Sequence, residues 1–212
     1  MLAAVIIAAL IPSCGDSQSA TEPGYTQLSA DELREIAQPL IEQSYEINEI
    51  FFRKGLPVEE DLKELYAADT QINGEAPDYS GYDVKYSDYY VVSFDCGYES
   101  CNDIREAALK VYTADYCESA VFPAAFSGIT SDSGEIYEYA KYIDNTDLLL
   151  SVRADLANGA IDCSRRYDFE TFEIIRQSED GVYFTLVSSD GLTVELCIKK
   201  TAEGWRLDYP TY

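Results

Sequence analysis

Between positions 79 and 90, five tyrosines (Tyr79, Tyr82, Tyr86, Tyr89 and Tyr90) stand among Asp78, Asp83 and Asp88. A tyrosine pairs an apolar ring with a polar tip, so such a run suits stacking on a sugar or a peptide at low entropic cost. Side chains alternate along a strand, which would place Tyr82, Val84, Tyr86 and Tyr90 on one face. The competing expectation is that these rings simply pack on a sheet. The nearby carboxylates raise calcium as a ligand, but no Asp-x-Asp-x-Asp-Gly loop occurs, and no metal site is expected.

A second constellation is Arg165 beside Arg166 in "CSRRYDF". Two adjacent guanidinium groups could clamp a carboxylate bidentately. In a chain this acidic they more often answer neighbouring acids at the surface. Cys96 and Cys101, in "DCGYESC", could close a small disulfide loop, with Gly97 allowing the turn. Their spacing is not that of a zinc pair. Cys117, Cys163 and Cys197 read as free buried thiols.

The chain has no histidine. That removes the commonest general base and the usual partner of a nucleophilic serine or cysteine. No glycine-rich phosphate loop, GxSxG elbow or SxxK motif is present. No catalytic residues and no cofactor are expected, and the balance leans away from an enzyme. The 39 acidic against 15 basic residues leave a net charge of -24, which repels phosphate backbones and sets nucleic acid aside.

Leu2 to Ile11 is apolar but too short to cross a bilayer, which takes about 20 residues. It fits the hydrophobic part of an export signal. Ile11, Pro12, Ser13 and Cys14 follow, and this quartet resembles the bacterial lipoprotein box, which implies that Cys14 is the site of lipid attachment. Two acyl chains on a thiol anchor a protein durably. "GDSQSATEPGYTQ" is polar and unpatterned, as a flexible tether would be. The expected organisation is a signal peptide over 1–13, a tether over 14–27 and one α+β domain over 28–212. The expected location is outside the cytoplasm, moored to the cell membrane.

The elements that must position these groups come next. Ser29 with Glu32 makes a capping box. Behind it Leu33, Ile36, Leu40, Ile47, Ile50 and Phe51 fall near one helical face. Pro39 should kink that helix or start another. "VEEDLKELYAA" predicts a short helix and "DYSGYDVKYSDYYVVSFD" a strand. "SCNDIREAALKVYT" predicts a helix capped by Ser100 or Asn102, and "ADYCESAVFPAAF" a further short one. "GEIYEYAKYIDNTDLLLSVRA" reads as one or two strands. "FETFEIIRQ", "VYFTLVS" and "LTVELCIKK" are three strands separated by "SEDG" and "SDG" turns, and "EGWRLDYP" is a fourth. Trp205, on that last strand, is expected in the core. The fold class is α+β, with amino-terminal helices packed on a curved, cone-like antiparallel sheet.

Helices followed by a meander ending in a tryptophan strand resemble the nuclear transport factor 2-like cone fold. "SYEINEIFFRKGLP", "DIREAALKVYTADYCES" and "GWRLDYPTY" resemble segments of secreted lipoproteins of clostridia and their relatives. The resemblance supplies no activity; the leading expectation is a non-catalytic, lipid-anchored module that binds a peptide, a glycan or a protein of the cell envelope. Two alternatives stay open. One is an inhibitor of a cell-wall hydrolase. The other is an isomerase or dehydratase that uses Asp and Tyr in a cone pocket.

Overall fold

A computed structural model describes residues 27–60, 89–127, 129–130, 136–138, 140–144, 149–153 and 161–212. Helix α1 runs from Ala30 to Phe52. Its first turn is closed reciprocally: the Ser29 hydroxyl accepts the Glu32 amide at 3.3 Å, and the Glu32 carboxylate accepts the Ser29 amide at 2.8 Å. Pro39 neither ends nor restarts the helix. Pro39 lies on the exposed side, so water can serve the carbonyl whose partner amide the proline lacks. The opposite side buries Leu33, Ala37, Leu40, Ile41, Ile47, Ile50 and Phe51, together with two polar residues, Ser44 and Asn48.

Strand β1 spans Tyr89–Val91 and leads into a 3-10 turn at Phe94–Cys96. Helix α2, Cys101–Val111, is capped by Ser100 in a second capping box with Asp103. A helical run follows: α3 (Ala114–Tyr116), a π turn (Cys117–Val121) and α4 (Phe122–Phe126). Thr113 caps α3 by accepting the Tyr116 amide. The middle third contributes short strands, β2 (Ile129–Thr130), β3 (Ile136–Glu138), β4 (Tyr142–Asp144) and β5 (Leu150–Arg153).

The last third is the expected meander: β6 (Tyr167–Gln177), β7 (Gly181–Ser188), β8 (Thr193–Thr201) and β9 (Gly204–Leu207), paired antiparallel in chain order. Register puts Val182 opposite Ile198 and Phe184 opposite Leu196. All four are fully buried, so one face of the sheet is apolar throughout its centre. Leu192 sits ahead of β8 at the turn and is 55% exposed. Trp205 is half-buried at the edge of the core rather than inside it.

The strands do not form one curved sheet. Among the described residues they make three: the meander, a sheet ordered β1-β5-β4, and the pair β2-β3. β5 is central in the second, with Leu150 and Val152 buried. A single core cluster nevertheless joins α1, α2, the π turn, β5 and the meander, so the class is α+β around one interior. Of the expected helix over 58–68 only residues 58–60 are described, and there Val58 bridges Val92; the rest lies outside the described residues, as does the tyrosine-rich stretch before Tyr89.

Candidate functional site

The capping box of α2 also shapes the surface beside it. Asp103 accepts the amides of Glu99 and Ser100, each at 2.9 Å. These bonds hold the 97–100 segment against the start of the helix. They also keep the Asp103 carboxyl below its usual range, the Glu99 amide contributing most. Gly97, at φ +83°, sets the turn that brings Tyr98 over α1. The Tyr98 hydroxyl donates to the Glu46 carboxylate at 3.3 Å. Burial, and then the Glu46 charge, raise the tyrosine's pKa, so it stays a donor.

Between α1, α2 and this segment lies an open groove of about 400 Å³. Its lining comprises Gln43, Glu46 and Ile47 from α1, Gly97 and Tyr98 from the turn, and Asp103, Glu106, Ala107, Lys110 and Val111 from α2. Glu106 accepts from the Asn102 side-chain amide at 2.8 Å. Three carboxylates and one ammonium therefore line the groove together with apolar Ile47, Ala107 and Val111. That arrangement complements a cationic or amine-bearing ligand with some apolar surface. Among the described residues no group of three or more Asp, Glu or Cys could hold a metal ion.

A buried polar cluster joins α1 to Tyr112 and Thr211. Thr211 is hydrogen-bonded to Ser44 at 2.6 Å and to Asn48 at 2.8 Å. The Tyr112 hydroxyl donates to Asn48 Oδ1 at 2.8 Å and lies 3.0 Å from the Thr211 hydroxyl. Among the described residues every buried side-chain nitrogen and oxygen has a partner. A second buried group, Lys141, donates to the carbonyls of Ile50 and Arg53, both at 2.7 Å, at the end of α1. It is 4% exposed, and burial lowers its pKa to about 8. Its position matches the negative end of the helix, and its bonds satisfy carbonyls that the helix leaves open.

The residues singled out in the sequence are scattered. Cys14, Tyr82 and Tyr86 lie outside the described residues. Tyr90 is half-buried on β1, in register with Val152, and does not line the groove. Arg165 and Arg166 diverge and do not clamp a shared carboxylate. Arg165 pairs with Asp190 at 3.4 Å and donates to the backbone oxygen of Tyr212 at 3.0 Å. Arg166 lies over the Tyr45 ring at 4.1 Å and donates to the Cys163 carbonyl at 2.9 Å. Both precede β6, which starts at Tyr167, and each is held by different partners. Cys96 and Cys101 are free thiols in this structure, as are the buried Cys117, Cys163 and Cys197.

Sequence reasoning missed Glu46, Tyr98 and Glu106, since nothing local says that α1 and α2 lie side by side. The Ser44/Asn48 pair, spaced four apart inside an apolar stripe, was a readable sign of a buried polar network. Lys141 carried no local sign at all.

No match decides a family. Neither a family model, nor a curated protein, nor a solved structure matches this chain.

Proposed function

We propose that this protein is a lipid-anchored, extracytoplasmic binding module of a bacterial cell envelope. The observation that carries the binding half is the groove between α1 and α2, lined by Glu46, Asp103, Glu106 and Lys110 beside Tyr98. Its volume falls in the range of sites for small ligands or a few residues of peptide, about 300–1,000 Å³. The lipid-box resemblance at Cys14 and the polar tether behind it support the address. No described helix is long and apolar enough to cross a membrane. A cone-like arrangement of helices over the meander belongs to the same proposal, supported by the single core that α1 and α2 share with β7 and β8.

An enzyme of the cone type would want a hollow with an acid near a tyrosine hydroxyl. Tyr112, the tyrosine deepest in this core, spends its hydroxyl on Asn48 and Thr211 instead, which favours binding over catalysis. The test has two arms. Palmitate labelling of cells should mark the wild type and not Cys14→Ala. Immobilised domain from residue 24 onward should retain envelope peptides or glycan fragments, and a Glu46→Gln/Glu106→Gln form should release them at lower salt. Unlabelled Cys14 would remove the anchor. Selective capture of a wall hydrolase would replace the binding module with an inhibitor.

A further inference from the structure

The chain that follows β9 is held by one last backbone pairing, from the Asp208 amide to the Cys197 carbonyl at 2.9 Å. Beyond it no backbone–backbone bond ties residues 209–212 to another described residue. Pro210 has no amide to offer. Side chains hold the segment instead, and they reach it from three directions. Ser44 and Asn48 of α1 meet the Thr211 hydroxyl. The Tyr167 hydroxyl, at the start of β6, donates to the Thr211 carbonyl at 3.2 Å, and Arg165 donates to the Tyr212 backbone oxygen at 3.0 Å. The Tyr212 ring centre lies 4.5 Å from that of Phe52, and its hydroxyl 3.3 Å from that of Tyr116 in α3.

The floor beneath this segment is polar, and its needs are specific. Ser44 has a bond of its own to the Ile41 carbonyl at 2.6 Å, and the Tyr112 hydroxyl has Asn48 Oδ1. With Thr211 and Tyr212 lifted away, the groups that lose an acceptor are Asn48 Nδ2, the Tyr167 hydroxyl and one Arg165 nitrogen. All are donors, and a buried donor without an acceptor is unfavourable. The cleft therefore selects an occupant that brings acceptor oxygens and an aromatic ring. None of these residues lines the groove between α1 and α2.

We propose that this cleft is a second binding site, for a peptide carrying a hydroxyl residue followed by an aromatic one, and that residues 209–212 are a plug that fills it in cis. The seated Thr211-Tyr212 pair is the pattern the cleft fits. A plug without backbone pairing can leave by local opening while β9 stays in the sheet. Plug and incoming peptide compete for the same donors, so apparent affinity scales with the fraction of chains whose cleft is vacant.

The probe is the synthetic pentapeptide Asp-Tyr-Pro-Thr-Tyr, labelled with a fluorophore at its amino end and titrated into the full chain by anisotropy. Thr211→Val strips the plug of its hydroxyl and leaves the probe's intact. The probe should bind this variant about tenfold more tightly than wild type. Tyr212→Ala takes the plug's ring off Phe52 and should act the same way, which keeps the test open should Thr211→Val fail to fold. A probe with valine in place of threonine should bind either variant at least about fivefold more weakly than the threonine probe. Equal affinity for wild type and both variants overturns the plug. No binding to either variant, or equal affinity for the two probes, overturns the site.

Discussion

Asn48 of α1 and Thr211, 163 positions later in the chain, are joined side chain to side chain at 2.8 Å in an interior where each is 1% exposed. Ser44 and Tyr112 complete the cluster around the same threonine hydroxyl. A bonded network at this depth stabilises one placement of the 208–212 segment, because any other leaves several dry polar atoms unmet. Thr211→Val keeps the shape and removes the shared hydroxyl. It should lower unfolding free energy by about 1–3 kcal/mol. Urea titration should show a lower midpoint with an unchanged slope; an unchanged midpoint would mean that the network contributes nothing.

Lys141 should give stability an alkaline signature. Burial holds its folded pKa near 8, below the ordinary 10.5, against the opposing influence of Cys163 and Glu49. Between those values the unfolded chain binds the extra proton, so this group's contribution grows as pH rises and is lost as pH falls through about 8. The buried cysteines act oppositely, since their folded pKa values are raised. The comparison is therefore with Lys141→Met. Wild type should gain stability relative to the variant between about pH 8 and 10.5. A difference that stays flat with pH would place the ammonium in water.

Thiol labelling should divide the cysteines by burial. The Cys117 thiol is pushed up to about 12 and the Cys163 thiol to about 11, chiefly by burial. Cys117, Cys163 and Cys197 should resist iodoacetamide at pH 8 in the native protein and react fully in urea. Peptide mass mapping reads the result, and rapid native alkylation of Cys163 would show the interior to be open.

The α2 cap links stability to the groove. Ser100→Ala removes the hydroxyl that accepts the Asp103 amide at 3.2 Å. It should cost about 1 kcal/mol of stability. The Asp103 half of the box contributes above the carboxyl's unfolded pKa near 3.8 and fades as pH falls through its lower folded value. Thermal melts from pH 6 down to pH 2.5 should therefore converge for wild type and Asp103→Asn at the acid end.

Charge in the groove should control ligand affinity through salt. Glu46→Gln with Glu106→Gln should weaken trilysine binding by about tenfold at low ionic strength and less at 0.5 M salt. Calorimetric titration at two salt concentrations checks this. Equal weakening at both would point to lost shape rather than lost charge.

Much of the scaffold was legible because it rests on short-range physics. The Ser29–Glu32 box spans three residues and forms, and of the two caps open for α2 it is Ser100 that serves. The alternation of Val182, Phe184 and Leu186 set their buried face, and the turns between strands set the meander. The charge, the lack of histidine and the lipid-box resemblance at Cys14 were likewise readable in the chain alone.

The site was not legible, because it is made by neighbours that no local rule brings together. Whether Arg165 and Arg166 converge depends on the remote Asp190 and Tyr45. The short middle strands joined a sheet apart from the meander, since such weak segments take whichever edge burial offers. Amino-acid order alone determined the helices, the long hairpins and the acidic surface, through capping, periodicity and charge. Only tertiary packing decided that Glu46 faces Tyr98, that Lys141 closes α1 and that Thr211 lies among Ser44, Asn48 and Tyr112, because desolvation and hydrogen-bond partners exist only once distant segments meet.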